Sequence, residues 1–243
     1  MNATYKSHIT IFFLLISLLS INTNSLAEDN DKHYSPVGFF DIHVCHWPNR
    51  PLFLLTLFST THYQDIESIQ VYAPDDRLLT IIGMERYRII KDNKHADKRV
   101  FMKQVELSKK PLNGWYKTLV TLKNGVVDET RDYVIIKRMD KPKDLQPAHG
   151  TELTAPVSHL SWSAVDGALY YQVFIRDLWD EERLIFTSDL LDKPYAELPF
   201  GLIQADGWYE WKVHARDVNE DPLLGDFNHG SLSSVHQFTT ANQ

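Results

Sequence analysis

Three groups of residues carry side chains able to do chemistry, and none of them completes a motif. The first is the run His43-Val44-Cys45-His46-Trp47. Imidazole and thiolate together suit a soft transition metal, and on an extended strand His43 and Cys45 share a face while His46 points the other way. Two donors on one face are not a site. Structural zinc takes four ligands, and c-type haem attachment needs two cysteines ahead of the histidine. The plain reading is a buried structural cysteine flanked by strand histidines; His33, His62 and His95 add ligands only if the fold brings them together.

The second group is acidic. Asp217, Glu220, Asp221 and Asp226 fall close together, with Asn219 and Asn228 nearby. Calcium takes several hard oxygen ligands from such loops, although this spacing matches no EF-hand. These four are the candidate metal residues, and calcium is the only cofactor they suggest; the competing reading is an acidic surface that keeps the chain soluble. The third group is aromatic, Tyr170, Phe174, Trp179 and Trp208, and its meaning depends on which way each strand turns its side chains.

Enzyme signatures are missing. The chain holds no Gly-x-Ser-x-Gly elbow, no His-Glu-x-x-His, no phosphate-cradling glycine loop and no dinucleotide fingerprint. The basic residues Arg86, Arg88, Lys91, Lys94, Lys98 and Arg99 are interrupted by Asp92 and Asp97, as on a solvated hairpin. The expectation is a protein that is not an enzyme.

The elements that must position these groups are strands. Leu160 and Trp162 alternate with serines, Tyr171, Val173 and Ile175 with Gln172 and Arg176, and Tyr209, Trp211, Val213 and Ala215 with Glu210, Lys212, His214 and Arg216. Asp166-Gly167 and Asp206-Gly207 mark turns before the second and third of these. With Tyr171 and Val173 pointing in, Tyr170 and Phe174 point out; with Tyr209 and Trp211 pointing in, Trp208 points out. The four aromatics of the third group then form an outward patch suited to a protein or a polysaccharide, or to packing against the rest of the chain.

The order Leu160-x-Trp162, Tyr171-x-Val173 and Tyr209-x-x-x-Val213-x-Ala215 resembles the fibronectin type III family over roughly residues 142 to 241. The resemblance implies a β-sandwich in which the strands of Tyr171 and Tyr209 are neighbours, with Tyr209 as a corner tyrosine whose hydroxyl closes onto backbone near Leu202. It implies no activity, because such domains bind, space or scaffold unrelated things.

The half from residue 31 to residue 140 also reads as β. Candidate strands run from Phe39 to Val44, Pro51 to Phe58, Ile66 to Tyr72, Leu78 to Ile82, Tyr87 to Ile90, Val100 to Leu107, Trp115 to Leu122 and Val126 to Ile136. Asn124-Gly125 between the last two is a strong hairpin signal. No sustained helical period is present, and the segment is expected to be an immunoglobulin-like sandwich.

At the start, the apolar run Ile9 to Ile21 and Ser25-Leu26-Ala27 predict a signal peptide over residues 1–27, cleaved after Ala27. The expected chain is therefore all-β, with two tandem immunoglobulin/fibronectin III-like β-sandwiches after a signal peptide. Residues 31–140 and 148–243 form the domains, and residues 141–147, with Pro142 and Pro147, form a stiff linker. The only cysteine, Cys45, allows no internal disulfide, so the cores must be hydrophobic. The net charge is −7 and unevenly spread. Residues 28–140 carry 17 Lys and Arg against 16 Asp and Glu, whereas residues 141–243 carry 7 against 16. An acidic second half argues against nucleic acid. The expectation is a secreted or periplasmic binding or scaffolding protein with no membrane insertion after cleavage; the alternative is an exported metal-binding or catalytic protein.

Overall fold

A computed structural model describes residues 32–91, 96–107, 110–218 and 227–242. The predicted signal peptide lies outside the described residues. Among those described, all regular structure is strand, and no helix is long and apolar enough to cross a membrane.

The first half contributes β1 (Phe39–His46), β2 (Phe53–Thr60), β3 (Ile66–Tyr72), β4 (Leu78–Ile81), β5 (Tyr87–Ile90), β6 (Lys98–Glu106), β7 (Gly114–Leu122) and β8 (Val127–Val134). The second contributes β9 (Thr151–Leu153), β10 (His159–Ser161), β11 (Tyr170–Asp177), β12 (Arg183–Thr187), β13 (Tyr195–Glu197), β14 (Trp208–Arg216), β15 (His229–Leu232) and β16 (His236–Thr240). The eight strands read from the sequence of the first half are all present, with ends moved by up to two residues. The β7–β8 hairpin turns at Asn124-Gly125, where Gly125 adopts φ 83 and the Asn124 side chain accepts from the Val126 N–H.

Each half has its own apolar core between two sheets. In the first, β1, β2 and β6 face the sheet ordered β4-β3-β7-β8, and Phe40, Ile42, Leu54, Phe58, Ile69, Val71, Phe101 and Val120 fill the space between. In the second, β11 and β14 face the β10–β13 pair across Leu160, Trp162, Tyr171, Val173, Ile175, Trp211 and Val213. Both halves are immunoglobulin-like β-sandwiches. The alternation that predicted inward and outward residues on β11 and β14 is the burial pattern observed, and the two strands pair directly, Val173 opposite Val213. Tyr209 makes its corner: its hydroxyl accepts from the Gln204 N–H at 3.0 Å, two residues past the expected Leu202.

No pattern of residues announces that the two sandwiches share a sheet. β15 pairs antiparallel with β14 and parallel with β1, so a single sheet runs β12-β11-β14-β15-β1-β2-β6-β5 through both halves. The residues between the halves are held to it. His46 Nδ1 donates to the Met139 carbonyl at 2.8 Å and Ser231 Oγ to the Asp140 carbonyl at 2.7 Å, while Met139 and Leu145 bury themselves in the second core.

The edge of β1 that faces away from β2 has no single partner strand. The Phe40 N–H donates to the His33 carbonyl at 2.9 Å, the Ile42 N–H to Asp132 Oδ2 at 2.7 Å, and the Val44 N–H to the Asn228 carbonyl at 2.8 Å. Three separate segments thus supply the acceptors that a neighbouring strand would normally provide.

Candidate functional site

The outer face of the second sandwich carries the predicted aromatic residues, and the structure divides them. β11 turns Tyr170, Gln172, Phe174 and Arg176 outward, and β14 turns Trp208, Glu210, Lys212 and His214 outward beside them. Phe174 sits opposite Lys212 and Arg176 opposite Glu210, with a 3.9 Å ion pair between the latter two. Tyr170 and Phe174 are four residues apart on one strand, roughly 13 Å, with Gln172 between them. Among the described residues, the ring contact within this group is the one between the two tryptophans. Trp179 follows in the turn after β11, where its N–H donates to Asp177 Oδ1 at 2.9 Å. Its ring lies edge-on to Trp208 with centroids 5.5 Å apart, and it is 70% exposed. Around the pair stand the Arg176–Glu210 ion pair and the exposed Leu184. What the fold assembles is therefore a tryptophan pair at one end of the face.

Of the predicted acidic metal residues, Glu220, Asp221 and Asp226 lie outside the described residues. Asp217 is engaged with His229: its Oδ1 accepts the His229 N–H at 2.7 Å and its Oδ2 the ring Nδ1–H at 2.7 Å. The other ring nitrogen donates to the Ile135 carbonyl of the first half at 2.7 Å. An imidazole that donates from both nitrogens is the protonated form. Burial depresses the pKa of His229, but the Asp217 carboxylate and the Ile135 carbonyl outweigh burial and the nearby Lys137, and hold it above the ordinary value. A raised pKa means that the folded state keeps a proton which the unfolded chain releases. Its stabilisation is complete below the unfolded value of about 6.5 and is lost as pH rises through the folded one. His46, His214 and His236 are shifted down, burial first in each case, and they act in the opposite sense at lower pH. The expected result is a stability gap between the wild type and His229→Gln that is widest in mild acid and shrinks above neutrality, measured by urea unfolding at a series of pH values. A gap independent of pH would remove the imidazolium clamp.

The third place is the outer face of β1. Here His43 and Cys45 share a side, as the strand period requires, while His46 turns the other way. Cys45 is a buried free thiol pushed up to about 12, first by burial. His43 meets not Cys45 but Asp41: His43 Nε2 stands 2.6 Å from Asp41 Oδ2. The ring of His43 stacks on Phe227 with centroids 3.7 Å apart. Phe227 also meets His214 edge-on at 5.4 Å and lies under the Arg216 guanidinium at 5.3 Å. His214, pushed to about 3 by burial, then by Arg216 and His43, stays neutral there.

Behind Asp41 stand Asp132 from β8 and His33 from the segment ahead of β1. One ligand atom from each of His33, Asp41 and Asp132 lies within 4.8 Å of the others, and all three residues are buried. His33 Nδ1 contacts the Phe40 carbonyl at 3.1 Å, and its Nε2 stands 3.6 Å from Asp132 Oδ1. Burial first, and then the charge of Asp41, push the Asp132 carboxyl up to about 8. The sequence reading named His33 as a distant ligand and missed both aspartates. Two signals pointed to them. Asp41 is the one charge in an otherwise apolar strand, and Asp132 occupies an inward position of the β8 alternation, between Thr130 and Val134.

No protein-family profile matches the chain, and no curated protein matches it. Among solved structures the chain is similar to domains A168–A170 of titin (15% identity, TM-score 0.26, covering 82% of this chain and 62% of that one). It is similar to dimeric latent PorU from Porphyromonas gingivalis (13%, 0.30, covering 85% and 20%). It is also similar to murine CEACAM1b (10%, 0.25, covering 83% and 99%). The chain thus spans less than two thirds of the titin fragment and a fifth of the PorU chain. The sandwich architecture stands on the strand pairing described above.

Proposed function

We propose that this chain is an exported, non-catalytic binding module whose second half, of the fibronectin type III kind, contacts a partner protein through the Trp179–Trp208 end of its outer sheet face. One observation carries this reading: Trp179 is held 70% exposed by a turn that fixes its backbone, with a second tryptophan packed edge-on against it. Leaving a large aromatic ring in water has a cost, and contact surfaces concentrate their binding energy in tryptophans ringed by polar groups. The Arg176–Glu210 ion pair supplies polar groups beside them here. Export rests on the leader-like first residues, and the non-catalytic reading on the missing sequence motifs. A polysaccharide that stacks on the same two rings is the other ligand class the chemistry admits.

The test is retention of envelope or extracellular proteins, and of a polysaccharide panel, on immobilised wild type and on Trp179→Ala. A cognate protein is expected to bind the variant roughly 30-fold more weakly, the factor that corresponds to the loss of a 2 kcal/mol anchor. The melting temperature should stay unchanged, because the side chain is exposed. Equal retention by both proteins would rule out this surface, and retention of a polysaccharide alone would change the ligand class.

A further inference from the structure

We propose that the partner segment docking on the Trp179–Trp208 pair is basic and lays an arginine guanidinium on the exposed Trp179 ring, with Glu181 and Glu182 as its counter-charges. The inference rests on the reading of the tryptophan pair as a contact surface and names the chemistry of what that surface meets. It starts from the turn that follows Trp179. Asp180 accepts the Arg183 N–H at 2.9 Å, and between them Glu181 and Glu182 both take left-handed backbone, with φ 52 and φ 57. Two successive residues at positive φ make the tight hairpin turn in which Asn-Gly is the ordinary pair. Both glutamates therefore stand exposed at its tip, two and three residues after Trp179. Trp208 is flanked by carboxylates as well, with Asp206 two residues before it and Glu210 two after.

The charges around the two rings do not cancel. Arg176 is paired with Glu210 at 3.9 Å and Arg183 with Asp180 at 2.5 Å. The Arg176 guanidinium also reaches Glu182, but at its backbone carbonyl, 2.6 Å away. Among the described residues, the side-chain carboxylates of Glu181, Glu182 and Asp206 have no ion pair and accept no hydrogen bond. Lys212 is the next outward residue of β14 after Glu210 and stands opposite Phe174, further from the tryptophans. A partner that covers Trp179 must take unpaired carboxylates out of water, which costs free energy unless it brings groups to meet them. An anionic partner is repelled, and a purely apolar one leaves the carboxylates stranded. A cation gains twice, from the indole face and from the carboxylates. Arginine fits better than lysine, since a planar guanidinium stacks on an indole while its N–H groups fork onto a carboxylate. The ring has room for it: Trp179 is 70% exposed, and Trp208 meets it at 68°, so at least one face of the indole is left uncovered by Trp208. The wider field agrees, because residues 141–243 carry 7 Lys and Arg against 16 Asp and Glu and draw a basic segment in from a distance.

The experiment measures, by fluorescence anisotropy, how the purified protein binds dye-labelled Gly/Ser peptides of equal length that carry Arg, Lys, Glu or no charge at the same positions. The Arg peptide is expected to bind most tightly, the Lys peptide more weakly and the Glu and uncharged peptides not at all, with affinity falling as salt is added. Trp179→Ala should bind the Arg peptide roughly 10-fold more weakly, and Glu181→Gln combined with Glu182→Gln roughly 5-fold more weakly. Asp189→Asn combined with Asp192→Asn removes the same charge beyond the other end of β12 and should leave binding unchanged. All the altered side chains are exposed except in part that of Trp179, and a melt of each variant checks its fold; the ranking of peptides on wild type stands without any variant. Equal losses from the two acidic double variants would show that net charge alone holds the peptide and would overturn the site. So would an Arg peptide that fails to bind wild type, that binds no better than the uncharged one, or that binds Trp179→Ala equally well. The two readings fail separately. A cognate protein lost on Trp179→Ala but indifferent to salt and to the Glu181 and Glu182 substitutions would keep the contact surface and remove its basic partner, whereas equal retention by wild type and Trp179→Ala would remove the surface itself.

Discussion

Trp211→Ala is expected to lower the free energy of unfolding by roughly 3–5 kcal/mol, the range for truncating a fully buried large aromatic. Trp211 is 1% exposed, at the centre of β14, the strand that pairs with β11, β15 and β16. Its ring tilts against Trp162 at 6.4 Å and meets His236 edge-on at 6.2 Å. The walls of the resulting cavity are strands already fixed by pairing on both sides, so collapse is restricted and most of the cost is retained. Urea unfolding followed by far-UV circular dichroism measures it through the shift in midpoint at constant slope. A loss below about 1 kcal/mol would mean that the ring does not fill the second core as described.

Phe58→Ala is expected to cost a similar amount, roughly 3–5 kcal/mol, from the other core. Phe58 is wholly buried on β2, and its ring passes so close to Gly38 that a Cβ there would stand 2.6 Å from the ring tip. The same Cβ would meet the Ser59 carbonyl oxygen at 2.5 Å, so Gly38 cannot yield a larger side chain to refill the space. Because β15 and β1 place both cores on one sheet, either substitution is expected to shift a single unfolding transition, and the double variant to lose close to the sum. Two transitions, each sensitive to only one of the substitutions, would show that the shared sheet does not couple the halves.

The strands were legible because their chemistry is local. The period-2 alternation of β11 and β14 fixed which side chains enter the core, and Asn124-Gly125 fixed a hairpin from two residues. The same alternation placed Trp208 on the outer face but could not say that Trp179 would lie edge-on against it. That depends on the turn after β11, which sets Trp179 beside Trp208. The parallel β1–β15 contact left no mark either, because a parallel pair brings together segments remote in sequence with no turn to announce it. Asp41, Asp132 and His33 were hidden for the same reason. A single acid in an apolar strand can be noticed, but its partners come from a different sheet and from the segment ahead of the first strand, and only the folded chain sets them side by side.

The piecewise edge of β1 also sets an order in time. The acceptor for Phe40, the His33 carbonyl, is synthesised before β1 itself; the acceptor for Ile42, Asp132, comes only with the eighth strand; and the acceptor for Val44, at Asn228, arrives close to the end. A growing chain therefore carries its first strand with one side partly open for most of its synthesis, exposing the kind of edge that recruits foreign strands. The charge of Asp41 and the bond already made from Phe40 to His33 make that waiting edge a poor template for an apolar intruder. A segment made near the end of synthesis is the one that closes the first strand.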